Sequence, residues 1–246
     1  MSQQQALIDD GLLIDLGADT YQHFLNMGRT LWDVEHLLVT HAHVDHFAVE
    51  DLFCRFEGFA HHTKVPKLKV YLTEVAYQYV LKCFRARGDD EDGLVDSFDF
   101  VIIRPFSTIS VGEYTVTVLP ARHASPGEAV VFVIEKDGKS VFYGNDTGVF
   151  GEEVDDFLSK QGVKINLLSL DCTKGDNEFD YYTHMSMAEG REIADRFRDR
   201  GILADDATLY YTHFSHNGGM IYDDLRKVAR EKYGFDVAYD GLEIEI

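Results

Sequence analysis

Long apolar runs, cysteine pairs and prolines are scarce in this sequence of 246 residues. No stretch of about eighteen consecutive apolar residues occurs, so the sequence predicts no membrane-spanning helix. The opening residues, MSQQQALIDD, lack the basic start and apolar core of a signal peptide. The three cysteines, Cys54, Cys83 and Cys172, lie far apart and form neither a disulfide framework nor a CxxC pair. This cysteine usage favours a reducing cytoplasm.

Basic residues are also few, because 23 Lys and Arg stand against 43 Asp and Glu and give a net charge of −20. Proteins that bind nucleic acid by their surface usually show a basic face, so a large polyanionic partner is disfavoured. A small anionic substrate is still compatible with the composition, since bound metal ions can reverse the local field.

The organisation of the chain favours a single domain over residues 1–246. Only four prolines are present, no repeat or Pro/Ser-rich linker interrupts the chain, and 45% of the residues are hydrophobic. Strands that pair locally in the first half are followed by strands separated by helices in the second. This order predicts the α/β class, as a four-layer αββα sandwich of two mixed β-sheets.

Hydrophobic periodicity and turn signals give the expected elements. Helices are expected over 47–58, from Thr73 to about Arg85, over 150–160, from a capping box at Ser186 to about Arg200, and from Ile221 to Gly234. KDGK (136–139) is typical of a hairpin turn, and the stretch 88–96 of an acidic surface loop. Strands are expected at GLLIDLG (11–17), HLLVT (36–40), KVYL (69–72), FVII (100–103), YTVTVL (114–119), AVVFVIE (129–135), SVFYGN (140–145), INLLSL (165–170), ATLYYT (207–212), FDVAY (235–239) and LEIEI (242–246).

Four potential metal ligands fall within six residues of the segment THAHVDHF. His41 and His43 point the same way if the segment is extended, whereas Asp45 and His46 lie where the chain turns into the next helix. Two ligand pairs in one short loop suit two metal ions better than one. A cluster of solvent-exposed histidines is the plainer alternative, but the segment directly follows a buried strand, which favours a metal site.

Further polar residues follow apolar strands, at the sheet edge where ligands gather in α/β folds. These residues are His123, Asp146, Asp171 and His213. A consistent assignment has His41, His43 and His123 on one ion, Asp45, His46 and His213 on the second, and Asp146 bridging both. Two such ions, about 3.5–4 Å apart, can share a hydroxide that attacks phosphorus or a carbonyl carbon. Nitrogen and oxygen donors suit Zn²⁺, Mn²⁺ and iron alike.

His184 lies directly before the capping box and is the candidate general acid or oxyanion stabiliser, with Asp171 orienting its ring. A helix-capping surface histidine is the alternative. Asp45 completes the set of candidate catalytic residues. His216 and Arg122 are candidate substrate contacts, and Lys174 is a further cation beside a candidate ligand position.

The segment HAHVDH resembles the HxHxDH signature of the metallo-β-lactamase superfamily, and the order His123, Asp146, His213 is similar to its later motifs. LSLDCT, THMSMAEG, YTHFSH and FDVAYDGLEI resemble the subgroup of the phosphoribosyl 1,2-cyclic phosphate phosphodiesterase, with ribonuclease Z as a related cousin. The resemblance implies the αββα fold, a dinuclear Zn²⁺ or Mn²⁺ site on the seven ligands above, His184 as the catalytic histidine, and phosphodiester hydrolysis. Only ten residues precede Gly11, so the N-terminal region is short for this family. Three alternatives stay open: a short first sheet, a sheet completed by the partner chain of a homodimer, or a truncated form of the sequence.

The leading functional hypothesis is a metal-dependent phosphodiesterase for a small substrate, cyclic phosphodiesters included. A ribonuclease Z-like nuclease is a second hypothesis, although the acidic stretch between His46 and His123 disfavours RNA. Hydrolysis of a carboxylic ester or lactone on the same dinuclear site is a third. A metal-binding scaffold without turnover is a fourth hypothesis. The complete set of ligands argues against it.

Overall fold

The computed structural model describes residues 3–56, 58–59, 65–88, 94, 96–123 and 129–246. The chain forms two compact units, each with its own sheet. The N-terminal unit contains the described residues up to Arg104 together with Ala129, and the C-terminal unit contains 105–123 and 130–246. Most of the predicted acidic loop at 88–96 lies outside the described residues.

The N-terminal unit contains a mixed five-stranded sheet in its described part, with the order β1-β2-β3-β4-β5. β1 pairs antiparallel with β2, and the remaining pairs are parallel. Leucine, valine and phenylalanine side chains from this sheet and its helices form one apolar core. The strands are β1 Ala6–Ile8, β2 Leu12–Ile14, β3 His36–Leu38, β4 Leu68–Leu72 and β5 Phe98–Ile102, and the helices are α1 Thr20–Asn26, α2 Glu74–Arg87 and the 3₁₀ segments Leu31–Asp33 and Val49–Arg55.

The C-terminal unit contains a mixed seven-stranded sheet in its described part, with the order β12-β11-β10-β9-β8-β7-β6. β6 to β9 pair antiparallel, whereas β9 to β12 pair parallel and are connected through helices. The strands are β6 Ser107–Val111, β7 Tyr114–Pro120, β8 Val130–Lys136, β9 Lys139–Gly144, β10 Ile165–Asp171, β11 Leu203–Thr212 and β12 Asp236–Val237. The helices are α3 Glu152–Gln161, α4 Met187–Asp199, α5 Tyr222–Val228, the π-helical turn Ala229–Tyr233 and the 3₁₀ turn His216–Gly218.

The predicted α/β class and the two mixed sheets are confirmed. The Thr73 side chain accepts a hydrogen bond from the Ala76 N–H at the start of α2. Ser186 and Glu189 form the predicted capping box at the start of α4. The hairpin at 136–139 joins β8 to β9, with Lys136 opposite Lys139. The single domain over 1–246 stays a prediction.

Two element predictions were wrong. The α-helix expected over 47–58 is the shorter 3₁₀ segment Val49–Arg55, which contains the weak helix formers Val49, Phe53 and Cys54 and has no side-chain cap. LEIEI (242–246) alternates like a strand but is not one, because β12 is the edge of the sheet and no described strand lies beyond it. The strands β1 and β6 and the helix α1 were not predicted.

No helix among the described residues is both long enough and apolar enough to cross a membrane.

Candidate metal centre

The candidate residues of the C-terminal unit gather at the carboxyl ends of three neighbouring parallel strands. Asp146 follows β9, Asp171 ends β10, and His213 follows β11. The register places Leu170 beside Gly144 and Asp171 beside Thr212, so the three strand ends meet. Together with His184, these residues offer ligand atoms that all lie within 4.8 Å of one another.

Two of these residues adopt a left-handed backbone conformation. Asp146 has a φ of 53° and His213 a φ of 54°. Such values are uncommon outside glycine and cost about 1–3 kcal/mol each, and they cluster at functional sites. The backbone therefore departs from the extended conformation directly after β9 and β11.

Asp171 is the hub of the hydrogen-bond network in this unit. Its Oδ1 accepts the backbone N–H groups of Thr173 (2.9 Å) and Met185 (3.0 Å), and its Oδ2 accepts His184 Nδ1 at 3.0 Å. Burial alone would raise the pKa of Asp171, but hydrogen bonds from His184 and His213 outweigh burial and hold the pKa below its usual value. With its oxygens occupied in this way, Asp171 orients histidines rather than offering itself as a ligand.

His184 is fixed on one edge and on both faces of its ring. Its Nδ1 lies 3.0 Å from Asp171 Oδ2 and 3.1 Å from Asp146 Oδ1. The ring stacks on Tyr181 and on His213, with centroid distances of 5.3 and 5.6 Å and an interplanar angle of 13° in each pair. The carboxylates hold the proton on Nδ1, so Nε2 is the nitrogen that can exchange a proton with a ligand.

His213 and His123 complete the set in this unit. Thr173 Oγ1 lies 2.7 Å from His213 Nδ1, which orients the ring and leaves Nε2 for a metal ion. His123 Nδ1 lies 3.3 Å from Asp146 Oδ1. Four side chains predicted from separate segments of sequence are therefore neighbours within one unit: His123, Asp146, His184 and His213.

The N-terminal unit gathers the histidines of the HAHVDH segment. The His41 ring lies with its centroid 4.6 Å from that of His43 and 4.3 Å from that of His46. His41 and His46 are buried, with 2% and 0% of their surface exposed. Asp45 Oδ2 lies 3.9 Å from His46 Nε2. Three imidazoles packed at this spacing beside a carboxylate are a donor set typical of transition-metal sites.

Asp15 anchors this set and was missed by the sequence reasoning. It is fully buried after β2, and its Oδ2 accepts His46 Nδ1 at 2.8 Å. Its Oδ1 also accepts the Thr40 N–H (2.8 Å), and Thr40 Oγ1 lies 3.0 Å from His41 Nδ1. The signal was available, because Asp15 follows an apolar strand in the same way as Asp146 and Asp171.

The donor set fits divalent metal ions. His46 and His213 each have Nδ1 beside an oxygen of the protein, the arrangement that fixes an imidazole tautomer and presents Nε2 to a metal. Neutral imidazoles suit borderline divalent ions, and carboxylates suit harder ones, so the mixed set is compatible with several divalent metals.

The three residues predicted to contact the substrate, Arg122, His216 and Lys174, differ in solvent exposure. Arg122 is exposed, and its Nη1 donates to the Val149 carbonyl at 3.3 Å. His216 is exposed at the start of the 3₁₀ turn after β11. Substrate binding by these two residues stays a prediction. Lys174 is 4% exposed, and its ammonium is paired with Glu189 Oε2 at 2.6 Å, so the structure does not favour it as a phosphate contact.

We expect Lys174→Met to lower the free energy of unfolding by about 2 kcal/mol, because it leaves a charged hydrogen bond unmade in a buried place. Urea unfolding measures this loss. The double variant with Glu189→Gln should lose less than the sum of the single variants, since the two side chains share one interaction. Lys232→Met is the matched control: it removes an exposed pair with Asp176 (2.9 Å) and should lower the free energy of unfolding clearly less than Lys174→Met does. Equal losses in Lys174→Met and Lys232→Met would contradict the assigned role.

The family model described as "Beta-lactamase superfamily domain" matches residues 11–214. The chain therefore belongs to the beta-lactamase superfamily. With its His/Asp clusters, it is a metal-dependent hydrolase of the metallo-β-lactamase fold. A search of curated proteins found no match.

Solved structures with this fold are similar over nearly the whole chain. The metallo-beta-lactamase fold protein YhfI from Bacillus subtilis is 20% identical, with a TM-score of 0.70 over 98% of this chain and 91% of that one. A diphosphatase from the PhnP family is 18% identical, with a TM-score of 0.71 over 98% of this chain and 82% of that one. The short form of human tRNase Z is 16% identical, with a TM-score of 0.69 over 98% of this chain and 91% of that one. At these identities the likeness shows the fold alone.

Proposed function

We propose that this protein is a phosphodiesterase that hydrolyses a small phosphodiester, cyclic phosphodiesters included. The observation that carries the proposal is the Asp171–His184 pair, which lies against the candidate ligands Asp146 and His213. An oriented imidazole beside a metal site provides the proton that a leaving alkoxide needs. The names of two similar structures, a diphosphatase and a tRNase, are consistent with phosphate chemistry.

We further propose that the chain binds two divalent ions, Zn²⁺ or Mn²⁺. His41, His43 and His123 would hold one ion, Asp45, His46 and His213 the other, and Asp146 would bridge them. When bound, such ions activate a water nucleophile and neutralise charge on the phosphoryl oxygens.

The residues of the chain would then orient the catalytic histidine and donate the proton that the leaving group needs. Water adds to phosphorus and releases one proton to solvent, the bond from phosphorus to the leaving oxygen breaks, and His184 Nε2 donates a proton to that oxygen. His184 then regains a proton from solvent, so that the protons balance over the turnover. Asp171 keeps the His184 ring in place and stabilises its protonated form, and the Thr173 and Met185 N–H groups fix the Asp171 carboxylate.

The ligand is proposed to be a small anion rather than a nucleic acid polymer. The net charge of −20 disfavours a long polyanion, whereas one phosphate can be accommodated at a pair of cations.

We expect Asp15→Asn to weaken metal binding about 10- to 100-fold, because the anchor that orients His46 becomes a weaker acceptor. Competition with a chromogenic chelator measures the affinity without reference to turnover. Asp19→Asn is the control, since Asp19 is an acidic residue of the same unit that pairs with His23 (3.6 Å). Unchanged metal affinity in Asp15→Asn would contradict the anchoring role.

A substrate panel tests the proposed function. The metal-free protein is loaded with Mn²⁺ or Zn²⁺ and assayed on bis(p-nitrophenyl) phosphate, cyclic ribose phosphates, cyclic nucleotides, dinucleotides, a tRNA precursor and lactones. We expect turnover of small phosphodiesters. Turnover of lactones without any phosphodiester, or of the tRNA precursor alone, would overturn the proposal.

A further inference from the structure

Three exposed aromatic side chains lie within four residues, directly before His184. We call residues 176–183 the aromatic loop. Its Phe179, Tyr181 and Tyr182 are 51%, 55% and 74% exposed. Large aromatic groups are costly to leave in water, and a cluster of them on a surface usually marks a binding site.

The backbone of the aromatic loop is held in place although its rings are exposed. The Lys174 ammonium donates to the Phe179 carbonyl at 3.3 Å, and Asn177 Nδ2 donates to the Gly218 carbonyl at 2.9 Å. The Tyr182 carbonyl lies so close to Gly148 that a Cβ there would stand 1.9 Å from its oxygen. The loop therefore presents its rings on a fixed frame, which limits the entropy lost when a ligand binds.

The aromatic loop is continuous with the candidate catalytic site. The Tyr181 ring stacks on His184, and His184 stacks on His213, with the planes within 13° in both pairs. A row of parallel rings therefore leads from a candidate metal ligand to the exposed Tyr181, and Tyr182 is the next residue in the chain.

The charge around the rings defines the kind of group that fits. Glu178 and Asp180 are exposed acidic residues of the same loop, which disfavours a second phosphate or a polyanion. The backbone of Arg122 lies near the loop, because Gly148, which lies against the Tyr182 carbonyl, donates its N–H to the Arg122 carbonyl at 2.9 Å. The Arg122 guanidinium itself donates to the Val149 carbonyl at 3.3 Å. A neutral planar ring linked to a single phosphate matches this arrangement.

We propose that Tyr182 and Phe179 form a stacking platform for a neutral planar ring, such as a nucleobase, carried by the phosphodiester substrate. The platform rests on the proposed phosphodiesterase function and specifies its substrate class. Stacking of a base on an aromatic side chain tolerates different bases, so the platform selects for a ring rather than for a sequence.

Binding of adenosine 5′-monophosphate and of ribose 5-phosphate to the Mn²⁺-loaded protein tests the platform by calorimetry. The two ligands share a phosphate and a ribose, and only the first carries a base. We expect the wild type to bind adenosine 5′-monophosphate at least about tenfold more tightly, which is the typical value of one base stacked on one aromatic ring. Tyr182→Ala should remove most of this preference and leave the affinity for ribose 5-phosphate unchanged, whereas Tyr182→Phe should retain it.

Tyr239→Ala is the matched control, because Tyr239 is also 55% exposed but packs near Tyr222, outside the aromatic loop. It should leave both affinities unchanged. Equal affinity of the wild type for the two ligands, or a full base preference in both Tyr182→Ala and Phe179→Ala, would overturn the platform.

An assay of bis(p-nitrophenyl) phosphate hydrolysis with the same preparation distinguishes failure of the stacking platform from failure of the proposed phosphodiesterase function. Hydrolysis without a base preference would remove only the platform. A base preference without hydrolysis of any phosphodiester would retain the platform as a binding site and overturn the phosphodiesterase.

Discussion

Asp146→Ala is expected to lose bound metal and phosphodiesterase activity together. Asp146 is 3% exposed, and its Oδ1 lies 3.3 Å from His123 Nδ1 and 3.1 Å from His184 Nδ1. Because Asp146 is proposed to bridge the two ions, its removal should weaken the binding of both. The metal affinity should therefore fall by more than the ~100-fold typical for the loss of an anchoring partner. Elemental analysis after gel filtration, beside an assay on bis(p-nitrophenyl) phosphate, measures both effects.

Two controls separate metal loss from misfolding. Asp146→Asn keeps the shape of the side chain and tolerates the φ of 53°, so it avoids the backbone strain that alanine adds. Asp155→Ala removes another fully buried carboxylate, one that is paired with Arg196 at 2.7 Å, and should lower stability while the metal is retained. Full metal occupancy in Asp146→Ala would contradict the bridging role.

His184→Ala is expected to lower kcat by about 10²- to 10⁴-fold while metal content is retained. The ring lies between Tyr181 and His213, and two carboxylates hold its Nδ1, so the remaining nitrogen can donate to the leaving oxygen. The loss should be smaller for substrates with p-nitrophenolate as the leaving group, because that group departs without a proton. Steady-state kinetics on an aryl and an alkyl phosphodiester measure the difference.

Asp171→Asn and His23→Ala are the comparison variants. Asp171→Asn should lower kcat for the alkyl substrate to a similar degree, and its effect should add little to that of His184→Ala, since the two residues act as a unit. His23→Ala changes a histidine that pairs with Asp19, and should leave both rates unchanged. A uniform loss on the aryl and alkyl substrates would show that His184 does not protonate the leaving group.

Local sequence signals predicted the elements that depend on local chemistry. The cap at Thr73, the capping box at Ser186 and the turn at KDGK each depend on side chains a few residues apart, and all three were found. Strand ends were equally informative, because an acidic or histidine residue after an apolar run marks the carboxyl edge of a parallel sheet. This rule predicts that Asp146, Asp171 and His213 lie together, and the structure brings them together.

The features that were missed depend on tertiary contacts. LEIEI has the alternation of a strand but no described neighbour to pair with, and β1 is too short to show a pattern. Lys174 reads as a surface cation, whereas the fold buries it against Glu189. The stacking of Tyr181 on His184 could not be predicted either, since no sequence periodicity relates a loop residue to a ring three positions later.

The most direct test of the proposed dinuclear phosphodiesterase is a titration of the metal-free protein with Mn²⁺, in which bound ions and hydrolysis of bis(p-nitrophenyl) phosphate are measured in the same samples. The metal-free protein should be inactive, and the rate should rise with added ions and level off at two per chain. A metal-free protein that hydrolyses the ester at the rate of the loaded one, or a loaded protein that binds two ions and hydrolyses no phosphodiester, would contradict it.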